Sequence, residues 1–165
     1  MPLSFSDQEM LIRQSAKNNP AMPVEQILLA RLLLHNSSRY VEKRNQLLKK
    51  YQLNDTLFMA LVVLYCQPTY ALQPSQLSEI FGYSKTNATR IADELVKRAW
   101  LARTEVQGDR RGFLLTLTPQ GIQFLEQLLP NQWKQVDQLF SVLDEQEQQQ
   151  LKKLLLKLLT SLENL

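Results

Sequence analysis

Lys85, Thr86, Asn87, Thr89 and Arg90 fall within six consecutive positions, directly after Ser84. Each carries a short-range hydrogen-bonding group, and two carry positive charge. Arginine and lysine match the paired acceptors O6 and N7 of guanine, and asparagine matches the donor–acceptor edge of adenine. Serine and threonine hydroxyls suit phosphate oxygens, as do the free amides of a helix's first turn. Lys85, Thr86, Asn87 and Arg90 are therefore expected to reach base edges, and Ser84 and Thr89 to reach phosphate. Arg103, Arg110 and Arg111 follow closely in sequence. Cations there suit a phosphate backbone or a narrow minor groove, where negative potential is enhanced. One arginine of the pair Arg110/Arg111 is expected to enter that groove. Asp109 repels phosphate, so its expected role is to support a neighbouring arginine or the turn. Arg103 is expected to contact backbone or to pair with Glu105.

The charge distribution singles out the same stretch. Residues 84–112 hold seven basic and four acidic side chains, a surplus of three that equals the net charge of the whole chain. The remaining residues carry twelve of each sign. Within them, 39–50 is locally basic, with five cations against Glu42 alone. A pI near 9 with this modest charge is compatible with nucleic-acid binding.

Other chemistries lack parts. One cysteine, Cys66, excludes an intrachain disulfide and a cysteine-rich zinc site. One histidine, His35, leaves metal binding and Ser-His-Asp catalysis without enough groups. No catalytic constellation, phosphate-binding glycine loop or metal site is read, and no cofactor is expected. The N-terminus lacks a secretory pattern. The longest apolar run, Leu57 to Cys66, is far shorter than the roughly 18 residues that span a bilayer. A cytoplasmic location without membrane contact is expected. Cys66 ends an apolar helix and reads as inert core.

The elements that would position these groups are mostly helical. Four glycines in 165 residues, with abundant Leu, Gln and Lys, favour helix. Ser84 is a good N-cap, and Ala88, Ile91 and Leu95 recur on one face of the helix it opens. LARTEV and FLLTLT flank Gln-Gly-Asp-Arg-Arg-Gly, which reads as a hairpin with a basic tip. Pro74 opens a short preceding helix to about Phe81, and Gly82 suits the turn. Helix, turn, helix and hairpin together are the plan of a winged helix-turn-helix.

Upstream, a short helix over 3–18 and a long one from Val24 to about Tyr51 are expected. Asn54 or Asp55 caps an apolar helix that runs to about Gln67. Downstream, Thr118-Pro119 starts a helix that Pro130 should kink or interrupt. Asp144–Glu147 is a capping box for a last helix to about Asn164. Leu151, Leu154, Leu155, Leu158, Leu159 and Leu162 form a broad stripe on it, which a second copy of the chain would cover. The fold class is mainly α with a small β-hairpin wing. Dimerisation helices are expected over 1–53, a DNA-binding domain over 54–118, and further dimerisation helices over 119–165.

The motifs SKTNATRIADELVKRAWLAR, GDRRGFLLTLTPQG and RNQLLKKYQLNDTLFMAL resemble the MarR family of bacterial transcriptional regulators. Within it they are similar to the EmrR-type repressors of multidrug efflux operons. The likeness extends from about Val24 to Leu162. It implies a homodimer that reads a palindromic double-stranded DNA operator, and a site where small aromatic or phenolic effectors lower DNA affinity. By that analogy His35, Asn36, Arg39, Met59 and Val63 would line the effector site. The family usually has Gly where this chain has Ala99. A left-handed residue costs Ala roughly 1 kcal/mol, so a different helix exit is expected here. The alternative to operator binding is a winged-helix module that uses the same surface to bind protein.

Overall fold

The computed structural model describes residues 4–82, 84–106 and 109–164, with the side chains of 106 and 109–112 left aside. The chain divides into two compact units, residues 1–60 and 61–165.

In the first unit, α1 (Phe5–Ala16) is closed at its start by a reciprocal capping box between Ser4 and Asp7. Helix α2 (Val24–Leu48) ends in a 3-10 turn over Lys49–Tyr51. Gln52, at φ 55°, then reverses the chain. Asn54 rather than Asp55 caps α3 (Asp55–Tyr65), its Oδ1 accepting the Leu57 amide at 2.9 Å. The end of α2 is tied to the start of α3 through Arg44, whose guanidinium pairs with Asp55. That guanidinium lies 4.8 Å from the Tyr40 ring centroid and donates to the Met59 sulfur at 3.5 Å. Asn45 completes the tie by accepting the Asp55 amide at 2.6 Å. Leu28, Leu48, Leu53, Leu57, Phe58 and Ala60 are buried.

The second unit contains the remaining elements. Two residues, Ala71–Leu72, form β1, a strand absent from the sequence reading. Gln73 and Gln76 cap α4 (Pro74–Phe81) reciprocally, and Gly82 leaves the helix at φ 62°, the left-handed conformation that glycine adopts without strain. Helix α5 (Lys85–Lys97) follows, then β2 (Leu101–Val106) and β3 (Asp109–Leu117). The sheet is antiparallel in the order β1-β3-β2. The pairing reaches Asp109, with an irregularity between Glu105 and Val106. Arg110 and Arg111 thus lie at the start of β3, at the tip end of the hairpin.

Helix α6 (Pro119–Phe140) runs unbroken through Pro130, against the expected interruption. Proline removes the bond to the carbonyl four residues back, at Glu126. Both positions are exposed, so water can serve that carbonyl. Helix α7 (Glu145–Glu163) opens at the expected Asp144–Glu147 capping box. Leu77, Ala88, Ile91, Ala92, Leu95, Leu101, Leu115, Leu117, Leu125 and Leu128 form the core of this unit. The α7 leucines stay outside it. Leu154, Leu155, Leu156, Leu158, Leu159 and Leu162 are all at least 41% exposed. With Phe140 at the end of α6, α7 borders an apolar groove of about 510 Å³.

Candidate nucleic-acid interface

Helix α5 separates its residues sharply by face. Ala88, Ile91, Ala92 and Leu95 are at most 2% exposed, while Ser84, Lys85, Thr86, Thr89 and Arg90 face solvent. Spacings of three and four place the first set on one side of the helix and leave the N-terminal polar residues on the other. The expected N-cap is present: Ser84 Oγ accepts the Asn87 amide at 3.3 Å.

Two side-chain bonds alter how this face can act. Arg90 donates to Asn87 Oδ1 at 3.0 Å, which engages the acceptor that a bidentate contact to adenine would require. The half-buried Asn87 is left presenting its amide donors, so the Arg90–Asn87 pair acts as a set of donors suited to base acceptors. Thr89 donates its hydroxyl proton to the Lys85 carbonyl at 3.0 Å. That proton is engaged within the helix in the DNA-free protein. Lys85 and Thr86 project freely at the helix start.

The hairpin stands beside this helix. Strand alternation puts Leu101, Arg103 and Glu105 on one face of β2, opposite Leu117, Leu115 and Phe113 of β3. Leu101, Leu115 and Leu117 are buried, so Arg103 extends from the core-facing side of the sheet. It pairs with Asp93 of α5 and lies 5.2 Å from the Phe113 ring centroid. This corrects the expected Arg103–Glu105 pair. Residues two apart on a strand lean along it, whereas Asp93 approaches from the helix packed against the same face. Sequence reasoning misses Asp93; the available signal is its place three residues after Arg90, on the exposed side of α5. The side chains of Asp109, Arg110 and Arg111, and the expectations attached to them, lie outside the described residues.

The exit from α5 is built tightly. Ala99 takes φ 59°, the left-handed conformation that the sequence reading expected it to avoid. Its amide bonds to Val96 O at 2.9 Å and the Trp100 amide to Leu95 O at 3.1 Å, the paired closure of a Schellman motif. Thr118, the N-cap of α6, donates its hydroxyl to Ala99 O at 2.7 Å and its amide to Trp100 O at 3.0 Å. Trp100 stacks on Phe124 of α6 with centroids 4.2 Å apart and planes 12° from parallel. Near this exit Arg98 donates to Glu94 at 2.6 Å, which holds the Glu94 carboxyl below its ordinary pKa.

The residues expected to bind an effector have separate surroundings. His35 is half-buried beside Phe5 of α1, with centroids 6.2 Å apart. Asn36 is exposed, and Arg39 pairs with Glu42 at 3.0 Å. Met59 belongs to the Arg44 cluster described above. Val63 lies in the second unit, where its carbonyl accepts from Gln67 at 3.1 Å. Cys66 is exposed, not core, because α3 ends at Tyr65 and leaves it in the following turn. Among the described residues no helix is long and apolar enough to cross a membrane.

Comparison with known proteins agrees with this geometry. A family model described as the MarR family matches residues 51–112. The transcriptional repressor MprA of Escherichia coli strain K12 is 44% identical over 165 residues, covering all of this chain and 94% of that one. A mutant MarR from E. coli complexed with operator DNA superposes with a TM-score of 0.69 at 26% identity, covering 82% of this chain and 96% of that chain. AbsC, a MarR family transcriptional regulator from Streptomyces coelicolor, shares the fold with a TM-score of 0.77 at 20% identity, over 87% and 97% of the two chains.

Proposed function

The chain belongs to the MarR family, within it to the EmrR type, and from this we propose that it is a repressor that binds a palindromic operator as a homodimer and is released by small aromatic or phenolic ligands. It is a transcriptional regulator with a winged-helix fold, not an enzyme. The observation that carries the DNA reading is the division of α5. Four buried residues fix one side, and Lys85, Thr86 and Arg90 stand exposed on the other, next to an arginine-bearing hairpin. The solved E. coli relative in complex with operator DNA supports the same reading.

In this reading residues 54–118 read DNA, and 1–53 and 119–165 hold two copies together. Lys85, Thr86 and the Arg90–Asn87 pair meet base edges, and Ser84 marks the helix end that faces phosphate. Arg110 and Arg111 reach the backbone or the minor groove, supported by Asp109. The exposed α7 stripe and its groove supply the surface for the second copy. Effector release, with His35, Asn36, Arg39, Met59 and Val63 as contacts, rests on the family resemblance alone. A regulator acting on DNA in this way would work in the cytoplasm.

Selection of bound sequences from random double-stranded DNA by the purified protein tests this. A palindrome with half-sites about one helical turn apart is expected. Affinity should fall steeply with salt, because several phosphates are neutralised per protomer. No enriched sequence, together with a log–log salt slope near zero, would instead favour the protein-binding module.

A further inference from the structure

The geometry points to Arg103 as a positioning residue that holds the wing against the reading helix through Asp93, and not as a contact to phosphate. The inference rests on the operator-binding reading above and assigns one cation within it. Three observations support it. Arg103 lies on the core-facing side of β2, opposite the fully buried Leu115, so its stem leaves the sheet toward α5. Its guanidinium is held from two sides, by the Asp93 carboxylate and by the face of Phe113 at 5.2 Å. Asp93 follows Arg90 by one helical turn on α5, so the pair ties the hairpin directly to the face that carries the base-reading residues.

The arrangement links α5 to the β2–β3 hairpin at a point beyond the apolar core. An exposed pair adds little to folding stability, so the effect should appear in DNA affinity and not in thermal unfolding.

The test is a double-mutant cycle of R103A, D93A and the double variant, using the selected DNA and the salt slope of each protein. If Arg103 acts through Asp93, both single variants weaken binding by a similar factor, about three- to tenfold, and the double variant is no weaker than either. All four proteins keep the same salt slope, since no phosphate contact is lost. If Arg103 instead contacts phosphate, R103A alone weakens binding and lowers the slope by about one. D93A then leaves affinity unchanged or tightens it, because an acid has been removed near DNA. That sign of the D93A effect overturns the inference. Thermal unfolding of each variant within a degree or two of the parent shows that folding is intact. D93N, which keeps the side-chain shape and removes only the charge, must weaken binding as D93A does. Failure of the parent protein to select any DNA would count against operator binding itself, and is distinguishable from every outcome of the cycle.

Discussion

Ala99 holds the left-handed conformation at the end of α5 although its Cβ makes that conformation unfavourable by about 1–2 kcal/mol. The bonds around it explain why it stays. Its own amide, its carbonyl and the amide of Trp100 are all engaged, by Val96, Thr118 and Leu95. Any other exit would break several of these bonds together, at an exposed Ala99 beside the half-buried Trp100. Ala99→Gly should therefore stabilise the protein. Strain relief outweighs the greater freedom of glycine in the unfolded chain by about 0.5–1 kcal/mol, raising Tm by about 1–4 °C. A lower Tm in differential scanning calorimetry would contradict the account. At this scale the sequence was informative where a group acts on its neighbours, as Ser84 and Asp144 do when they cap the amides three residues on. It failed where the partner is remote. Nothing near Arg103 in the chain announces Asp93, and nothing near Ala99 announces the Thr118 hydroxyl that helps to hold it in place.

Gly121 shows why α6 must begin where it does. A Cβ at this position would stand 2.3 Å from the Trp100 carbonyl oxygen, closer than any real contact, and the obstacle is backbone. The first turn of α6 thus approaches the α5 exit as closely as a chain without a side chain permits. Gly121→Ala should force the two apart and destabilise the unit by about 1–3 kcal/mol. Operator affinity should drop as well, since the Thr118 bonds and the Trp100–Phe124 stack depend on that approach. Parent-like chemical denaturation would show that the contact yields easily. Most elements were legible because their caps and apolar spacing are local. The strand β1 was not. Two residues carry no periodicity, and Ala71 is a strand residue only because Thr116, far along the chain, pairs with it. The same applies to α6, where proline argued for a break but an exposed Glu126 carbonyl removes most of the reason for one.

For the whole molecule, the unburied surface decides most. Leucines at 154, 155, 156, 158, 159 and 162 leave α7 with more exposed apolar surface than a solitary soluble helix sustains, and the groove beside Phe140 extends it. Placing charge there, as in Leu155→Glu with Leu159→Glu, should shift the protein from dimer to monomer in analytical ultracentrifugation. DNA affinity should fall with it, while the helical circular dichroism of the second unit is retained. A variant that remains dimeric would place the partner surface elsewhere. The effector contacts proposed from the family resemblance are the least legible part of the chain, because a pocket assembled by packing leaves no spacing in sequence. A last consequence follows from the joint at Trp100, where α5 ends and α6 begins. Helix α5 has 13 residues, about 20 Å of lever arm with its fulcrum at that joint. A tilt of about 5° about the fulcrum sweeps the Ser84 end through about 2 Å, several times the tolerance of a hydrogen bond to a base edge. In the operator-binding reading proposed above, small turns of α6 would be geared up into engagement or release of the groove, with no residue that touches DNA altered.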